Sequence, residues 1–267
     1  MNSWRVTMDA IGGRVVLNLE MEMPELKIYP DFETLTLAVA EHITSVAEAA
    51  IDDHGWFSIG LSGGSAPPPV HRKLTVEPLV SRIDWSRVYV FWGDERCVPP
   101  DHPDSNYGMG RDTLLKFVPI PENHIFRMRG ELDPQQGAAE YEQLLKEFFA
   151  ERGHQTARFD LLFQGMGEDG HTASLFPHTP PLHEQHRWVA ANYAGHLDSW
   201  RITLTPPAIN AAAFVVFMVE GEKKAPALQQ VLNGPRNPDL YPSQLIDPED
   251  GELWWMVDAA AAQQLQP

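Results

Sequence analysis

Asp169 and His171 lie two residues apart in the run FDLLFQGMGEDGHTASLFP, residues 159 to 177, just after a stretch that reads as a strand. An imidazole placed there can take a proton from water near neutral pH, and a carboxylate beside it can orient the ring or stabilise its cation. A lone histidine is as readily structural, and only the glycine-rich strand end brings a catalytic reading alongside. Gly165, Gly167 and Gly170 also spell G-x-G-x-x-G, so a dinucleotide turn must be weighed. It fits poorly. Pro177 allows only a short helix, and the next predicted strand, Trp188 to Tyr193, does not end in the acidic residue that would hold a ribose. His171, His178, His183 and His186 invite a metal reading, but their spacings match no zinc pattern and the proline-rich stretch between them looks like loop.

Three further segments could bring anion-binding groups to the same place. In GLSGGSAPPPV, residues 60 to 70, Gly63 and Gly64 let the backbone turn tightly and aim successive N–H groups at one point. A helix starting near Pro67 would add its positive end, which makes the segment, with Ser65, a candidate phosphate cradle or else a plain strand-to-helix turn. Gly60, Ser62 and Gly64 also match the G-x-S-x-G nucleophile elbow, with Asp94 or Asp169 and His171 as the partners a serine esterase would need. In FWGDERCVPPDHPDSNYGM, residues 91 to 109, Asp94, Glu95 and Arg96 follow a strand and Arg96 could clamp a phosphate with its planar fork. The alternative is a surface loop whose charges pair with one another. Arg201 on a strand, and Lys223 or Lys224 at a helix start, could complete a basic cluster. Cys97 reads as a small buried side chain rather than a nucleophile.

The elements that must position these groups are legible in the periodicity. Asp31 can cap a helix whose apolar residues Phe32, Leu35, Val39, Ile43, Val46 and Ala50 recur at three- and four-residue steps, with Gly55 ending it. A second helix begins at Asp133, with Pro134 at its first position, Gln136 completing a capping box, and an apolar face of Ala138, Tyr141, Leu145 and Phe148. Strands are expected at 56–61, 88–92, 159–163, 188–193, 213–219 and 253–257, several apolar on consecutive residues as strands covered on both faces are. The alternation predicts an α/β fold, a Rossmann-like mostly parallel sheet flanked by helices on both faces, with its site at the carboxyl ends of the strands. Residues 25–267 read as one α/β domain and residues 1–24 as an extension or an extra strand.

Composition narrows the partners. The 267 residues are 43% hydrophobic and 21% charged, an ordinary globular balance. With 20 Lys+Arg against 37 Asp+Glu the formal charge is −17, which disfavours nucleic acid and anionic membrane and obliges any anionic ligand to find a local basic cluster. One cysteine excludes an internal disulfide and fits a reducing compartment; with no signal peptide or membrane span in view, the expected location is the cytoplasm. The oligomeric state stays open, with a monomer favoured.

In order across residues 25 to 262, the segments LSGGSAP, FWGDERCVPPDHPDSNY, FDLLFQGMGEDGHTASLFP, RITLTPPAIN, GEKKAPALQQVL and GELWWMVDAAAA resemble the 6-phosphogluconolactonase family. The resemblance implies the fold shared with glucosamine-6-phosphate deaminases and ribose-5-phosphate isomerases, and hydrolysis of a small phosphorylated sugar lactone, 6-phospho-D-glucono-1,5-lactone, in the oxidative pentose phosphate pathway without metal or cofactor. It makes His171 the general base and Asp169 its neighbour. It puts Gly63, Gly64 and Ser65 on the phosphate loop, and Arg96, Lys224 and more weakly Arg201 on anion-contacting positions; Asp94 joins them as a substrate-site residue. Where the family usually reads Ser-Thr-Pro-Lys, this chain has Ser65, Ala66, Pro67 and Pro68, losing a hydroxyl and a positive charge for which Arg72 or Lys73 could substitute. The family usually begins near Glu25, which makes Met21 or Met23 an alternative start. On the same fold, a sugar-phosphate isomerase or deaminase would continue the histidine motif into Asn-Glu-Pro; here Ser174, Leu175, Phe176 and Pro177 occupy the region. A non-catalytic sugar-phosphate-binding protein is the remaining alternative.

Overall fold

The computed structural model describes residues 4–11 and 14–21, as backbone, and 25–265. Strands β1 (Trp4–Ile11) and β2 (Arg14–Met21) pair antiparallel in a sheet of their own. Among the described residues before Glu25, these two strands do not join the main sheet, and the alternative start at Met23 lies outside the described residues. The chain continues through β3 (Glu25–Tyr29), α1 (Phe32–His54), β4 (Phe57–Leu61), α2 (Pro67–Leu74), α3 (Leu79–Arg82), β5 (Val88–Trp92), β6 (Asp94–Arg96), α4 (Asn106–Gly110) and α5 (Pro134–Ala150). It ends with β7 (Leu161–Gly165), β8 (Val189–Ala194), β9 (Ser199–Leu204), α6 (Pro206–Asn210), β10 (Phe214–Val219), α7 (Ala225–Asn233), β11 (Glu252–Asp258) and α8 (Ala259–Ala262).

Six strands form one parallel sheet in the order β3-β11-β10-β7-β4-β5. Alternate side chains of a strand point to opposite faces, and here each face meets its own helical layer. Phe91, Val215 and Phe217 pack with Tyr141, Leu145 and Phe149 of α5 and with Leu228 of α7. Val90, Trp92, Val216 and Met218 pack with Leu35, Val39 and Ile43 of α1 and with Val70 and Leu74 of α2. The expected helices on both faces are thus present. Asp31 caps α1 by accepting the Thr34 N–H at 2.8 Å, and Gly55, at φ +91°, ends it. Phe32, expected on the buried face, is exposed at the first turn. Asp133 caps α5 through the Gln135 and Gln136 N–H groups, but Gln136 bonds Glu140 instead of reaching back to close the capping box.

A short antiparallel sheet, β6-β9-β8, stands at the end of β5. Gly93 joins the two sheets: its N–H donates to Leu61 O at 2.9 Å and its carbonyl accepts from Leu204 N at 2.8 Å. Strand β7 starts two residues later than the apolar run suggests and extends through Gly165, where it pairs with Met218. The physical reason is Asp160, whose buried carboxylate is held by the Ser58 N–H at 2.7 Å, the Ser58 hydroxyl at 2.8 Å and the His54 ring at 3.0 Å, ahead of the ladder. Burial pushes this carboxyl above its usual range despite those bonds. Asp160→Ala leaves the Ser58 amide unsatisfied; we expect a loss of about 1–3 kcal/mol in urea denaturation, with turnover retained because the residue sits at the amino end of β7.

Candidate active site

The order of the sheet selects one crevice. From β4 the chain moves outward to β5, whereas from β7 it moves the other way to β10 and β11, so the direction of winding reverses between β4 and β7. Loops leaving the carboxyl ends of those two strands open away from each other and leave room for a ligand. The Ser62–Ser65 turn leaves β4 and the loop carrying His171 leaves β7.

The β7 loop is a closed turn. Gly170 adopts φ +78°, its N–H meets Gly167 O at 3.1 Å, and the Gly167 N–H bonds His171 O at 2.8 Å. The turn brings His171 Nδ1 within 2.5 Å of Asp169 Oδ1, and the same oxygen accepts the His171 N–H at 3.1 Å. Desolvation works to raise the Asp169 carboxyl, but the His171 hydrogen bond and charge outweigh it and hold it below the usual carboxylate range. An ionised carboxylate only accepts, so in the neutral ring this bond assigns the proton to Nδ1 and leaves Nε2 with the lone pair that could accept one. Phe176 lies against the ring, 4.7 Å between centroids. After β7 no helix follows before the single turn at Pro180–His183, so the G-x-G-x-x-G run lacks the helix N-terminus that a dinucleotide needs.

Asp94 is only 6% exposed. Its carboxylate accepts from Asn106 Nδ2 at 3.1 Å and from the Ser174 hydroxyl at 2.7 Å, and the Ser174 N–H is held by Thr203 Oγ1 at 3.1 Å. Asn106 presses on Gly63 so closely that any Cβ there would overlap its amide. Asp94 therefore fastens the β4 turn and the β7 loop to one another through their neighbours. Glu95, 2% exposed, receives the N–H groups of Arg96, Asn106 and Tyr107 and the Ser105 hydroxyl at 2.6–3.0 Å, which pins the proline-rich loop; burial raises its carboxyl against these bonds. Asn106, Ser174 and the pinning role of Glu95 had no signal in periodicity or spacing; only their place inside unusual motifs marked them.

The basic groups fall in two places. Arg96 and Arg201 are register partners on β6 and β9. Burial first, then the facing Arg96 charge, lower the pKa of Arg201. Arg96 Nη1 donates to Asp104 O at 2.6 Å, and Arg201 Nη1 to Ser199 Oγ at 2.6 Å and Trp200 O at 3.0 Å. Like charges directly opposite on a ladder repel, and a bound anion relieves that repulsion. These arginines share a strand face with Asp94 and Thr203, two residues away on each strand, and so lie toward the β7 loop. In the second place, Lys224 Nζ is 3.1 Å from Glu220 Oε2, and the Ser65 hydroxyl is 3.1 Å from Glu220 Oε1. Lys73 pairs with Glu33 at 2.6 Å, and Arg72 and Lys223 are exposed or nearly so.

Helix α2 begins with Pro67, Pro68 and Pro69, which carry no N–H, so its first turn offers an anion little beyond its dipole. Ser62 donates to the Gly63 carbonyl at 3.2 Å, and among the described residues no histidine hydrogen-bonds it, so the elbow reading lacks its base. Among the described residues no group of three or more His, Cys, Asp or Glu side chains is set to hold a metal ion. Cys97 is half-buried and burial pushes its thiol up to about 11, unlike a nucleophile.

A histidine–carboxylate pair on the β7 loop thus stands at the reversal point of a parallel sheet, with cationic side chains on neighbouring elements. The chain belongs to the family described as glucosamine-6-phosphate isomerases/6-phosphogluconolactonase, whose model matches residues 30–255. It is 42% identical over 243 residues to the 6-phosphogluconolactonase of Nostoc sp., covering 90% of this chain and 98% of that one. It is 43% identical over 228 residues to the Synechocystis sp. 6-phosphogluconolactonase, covering 84% and 91%. The structure of the Trypanosoma cruzi 6-phosphogluconolactonase superposes with a TM-score of 0.81 at 27% identity, covering 92% of this chain and 98% of that one.

The close approach of Gly167 to the His171 ring is directly testable. A Cβ at residue 167 would overlap the His171 ring and lie 2.6 Å from Asp169 Oδ1. We expect Gly167→Ala to lower kcat about 100-fold through ring misplacement while the thermal midpoint moves little.

Proposed function

We propose that this chain hydrolyses 6-phospho-D-glucono-1,5-lactone to 6-phospho-D-gluconate, a step of the oxidative pentose phosphate pathway, with water activated by His171. The observation that carries the reading is the Asp169–His171 pair at 2.5 Å, on a loop that continues into Ser174, Leu175, Phe176 and Pro177 rather than into a second carboxylate. An isomerase or deaminase of this fold needs that extra acid to serve its histidine, whereas lactone opening needs one base only.

In the proposed reaction, Arg96, Arg201, Lys224 and the Gly63–Gly64–Ser65 turn bind the phosphoryl group, and that binding energy positions the lactone carbonyl. Asp94 acts as the tie that holds the two loops in register. His171 Nε2 takes a proton from water as its oxygen bonds to the carbonyl carbon, giving a tetrahedral oxyanion. The bond from that carbon to the ring oxygen then breaks, and the imidazolium returns its proton to the departing oxygen. Asp169 stabilises the imidazolium in between. No cofactor or metal is required by this sequence of steps.

We further read residues 25–267 as one catalytic domain and residues 1–24 as an extension. A formal charge of −17 and a single unreactive cysteine favour a cytoplasmic, monomeric enzyme that does not engage nucleic acid. Among the described residues no helix is long and apolar enough to cross a membrane.

The test is opening of freshly generated 6-phosphogluconolactone above its spontaneous rate, with EDTA present and unphosphorylated gluconolactone as comparison. His171→Ala and Asp169→Asn should lower kcat by about 10²–10⁴-fold without unfolding the chain, and Ser62→Ala should keep substantial activity. Full activity in the His171 variant sinks the mechanism.

A further inference from the structure

Glu220 directly follows strand β10, and the sheet order sets β7 between β10 and β4. The chain leaving β10 and the turn leaving β4 therefore meet across the carboxyl end of β7, where the His171 loop rises. Glu220 bridges that span. One carboxylate oxygen accepts the Ser65 hydroxyl at 3.1 Å, and the other accepts the Lys224 ammonium at 3.1 Å. The pair is largely shielded, the Lys224 and Glu220 side chains being 19% and 16% exposed.

The backbone beside this carboxylate is held in place. Gly221 turns at φ +85°, and its N–H is received by both oxygens of Asp258 at 3.0 and 3.1 Å. The Ser65 side is built around Gly64 at φ +93°. Because Pro67, Pro68 and Pro69 remove the N–H groups that open α2, the Ser65 hydroxyl and the Lys224 ammonium are the side-chain donors left to this turn, and a single carboxylate takes both. A carboxylate that collects a hydroxyl and an ammonium reproduces in charge and geometry what two oxygens of a phosphoryl group would receive.

We propose that Glu220 is an internal occupant of the phosphoryl subsite, which holds Ser65 and Lys224 in the free enzyme and yields them to the incoming phosphate, thereby setting its affinity. This rests on reading the Gly63–Ser65 turn and Lys224 as phosphate ligands. A phosphate monoester carries about −1.5 to −2 charges and three acceptor oxygens, so it outcompetes one carboxylate for the same donors and repels it. The displaced side chain swings toward solvent by rotation about its own bonds. Displacement draws on the substrate's binding energy, and an unphosphorylated lactone has nothing with which to drive it.

The experiment compares Glu220→Gln and Glu220→Ala with Lys224→Met, measuring KM for 6-phosphogluconolactone and the competitive inhibition constant of inorganic phosphate. Both Glu220 variants should lower both constants about three- to tenfold, with kcat changing less than either, while Lys224→Met raises both. Glu220 variants that raise both constants, as Lys224→Met does, would show a carboxylate that merely positions Lys224 and would overturn the proposal; unchanged constants in the Glu220 variants would also overturn it. If Lys224→Met itself leaves both constants at the wild-type values, the phosphate-site reading fails first and the proposal falls with it. The Gln variant keeps the shape of the side chain, so a folding defect confined to the Ala variant does not obscure the result.

Discussion

The buried carboxylate of Asp94 joins two pieces of chain that parallel-sheet topology leaves unconnected. The turn after β4 and the loop after β7 emerge side by side but share no backbone ladder beyond their strands. Asp94 reaches one through Asn106, which packs on Gly63, and the other through Ser174, which follows His171 in its loop. A buried carboxylate is tolerable only when its lone pairs are used, and both oxygens here have a polar donor. The same constraint explains Glu95 next to it, which spends its acceptors on three backbone N–H groups and a hydroxyl to fold a proline-rich loop that has no regular structure to hold it. The placing of the His171 loop thus depends on two buried acids, Asp94 and Glu95, that are not themselves bonded to the His171 ring.

Electrostatics set the second condition. A chain with a formal charge of −17 does not attract an anionic substrate at long range, so its site must concentrate positive charge locally. Pairing Arg96 with Arg201 across a ladder achieves this at some cost to the fold, since Arg201 is largely buried and faces a like charge. The arrangement is stable enough to persist because each guanidinium also donates to carbonyl or hydroxyl oxygens of its own sheet and loop.

In the β4 turn, three successive prolines decide which hydrogen-bond donors remain. Three prolines start α2 well, because their fixed φ suits a first helical turn. They also delete the N–H groups that would make that turn an anion nest. What is left is a glycine turn, one hydroxyl and a lysine brought in from α7's approach, and these are held by Glu220 rather than left open.

What the sequence determined by itself was whatever depends on neighbours along the chain. Asp31 and Gly55 bound α1, Asp133 and Pro134 start α5, and consecutive apolar residues mark strands covered on both faces, because caps and periodicity act within a few residues. The Asp169–His171 pair was legible for the same reason, being two residues apart in a turn that glycines permit. Sequence could not show that Gln136 would leave its capping box for Glu140, or that Asp160 would delay β7 by binding Ser58, since each turns on a competing partner. The tertiary structure alone decided the rest: that Asp94 meets Ser174 across 80 positions, that Arg96 faces Arg201, and that Glu220 meets Ser65 across 155 positions. Those meetings follow from strand order and from the reversal between β4 and β7, and strand order is a property of how whole layers pack, which no local pattern of residues encodes.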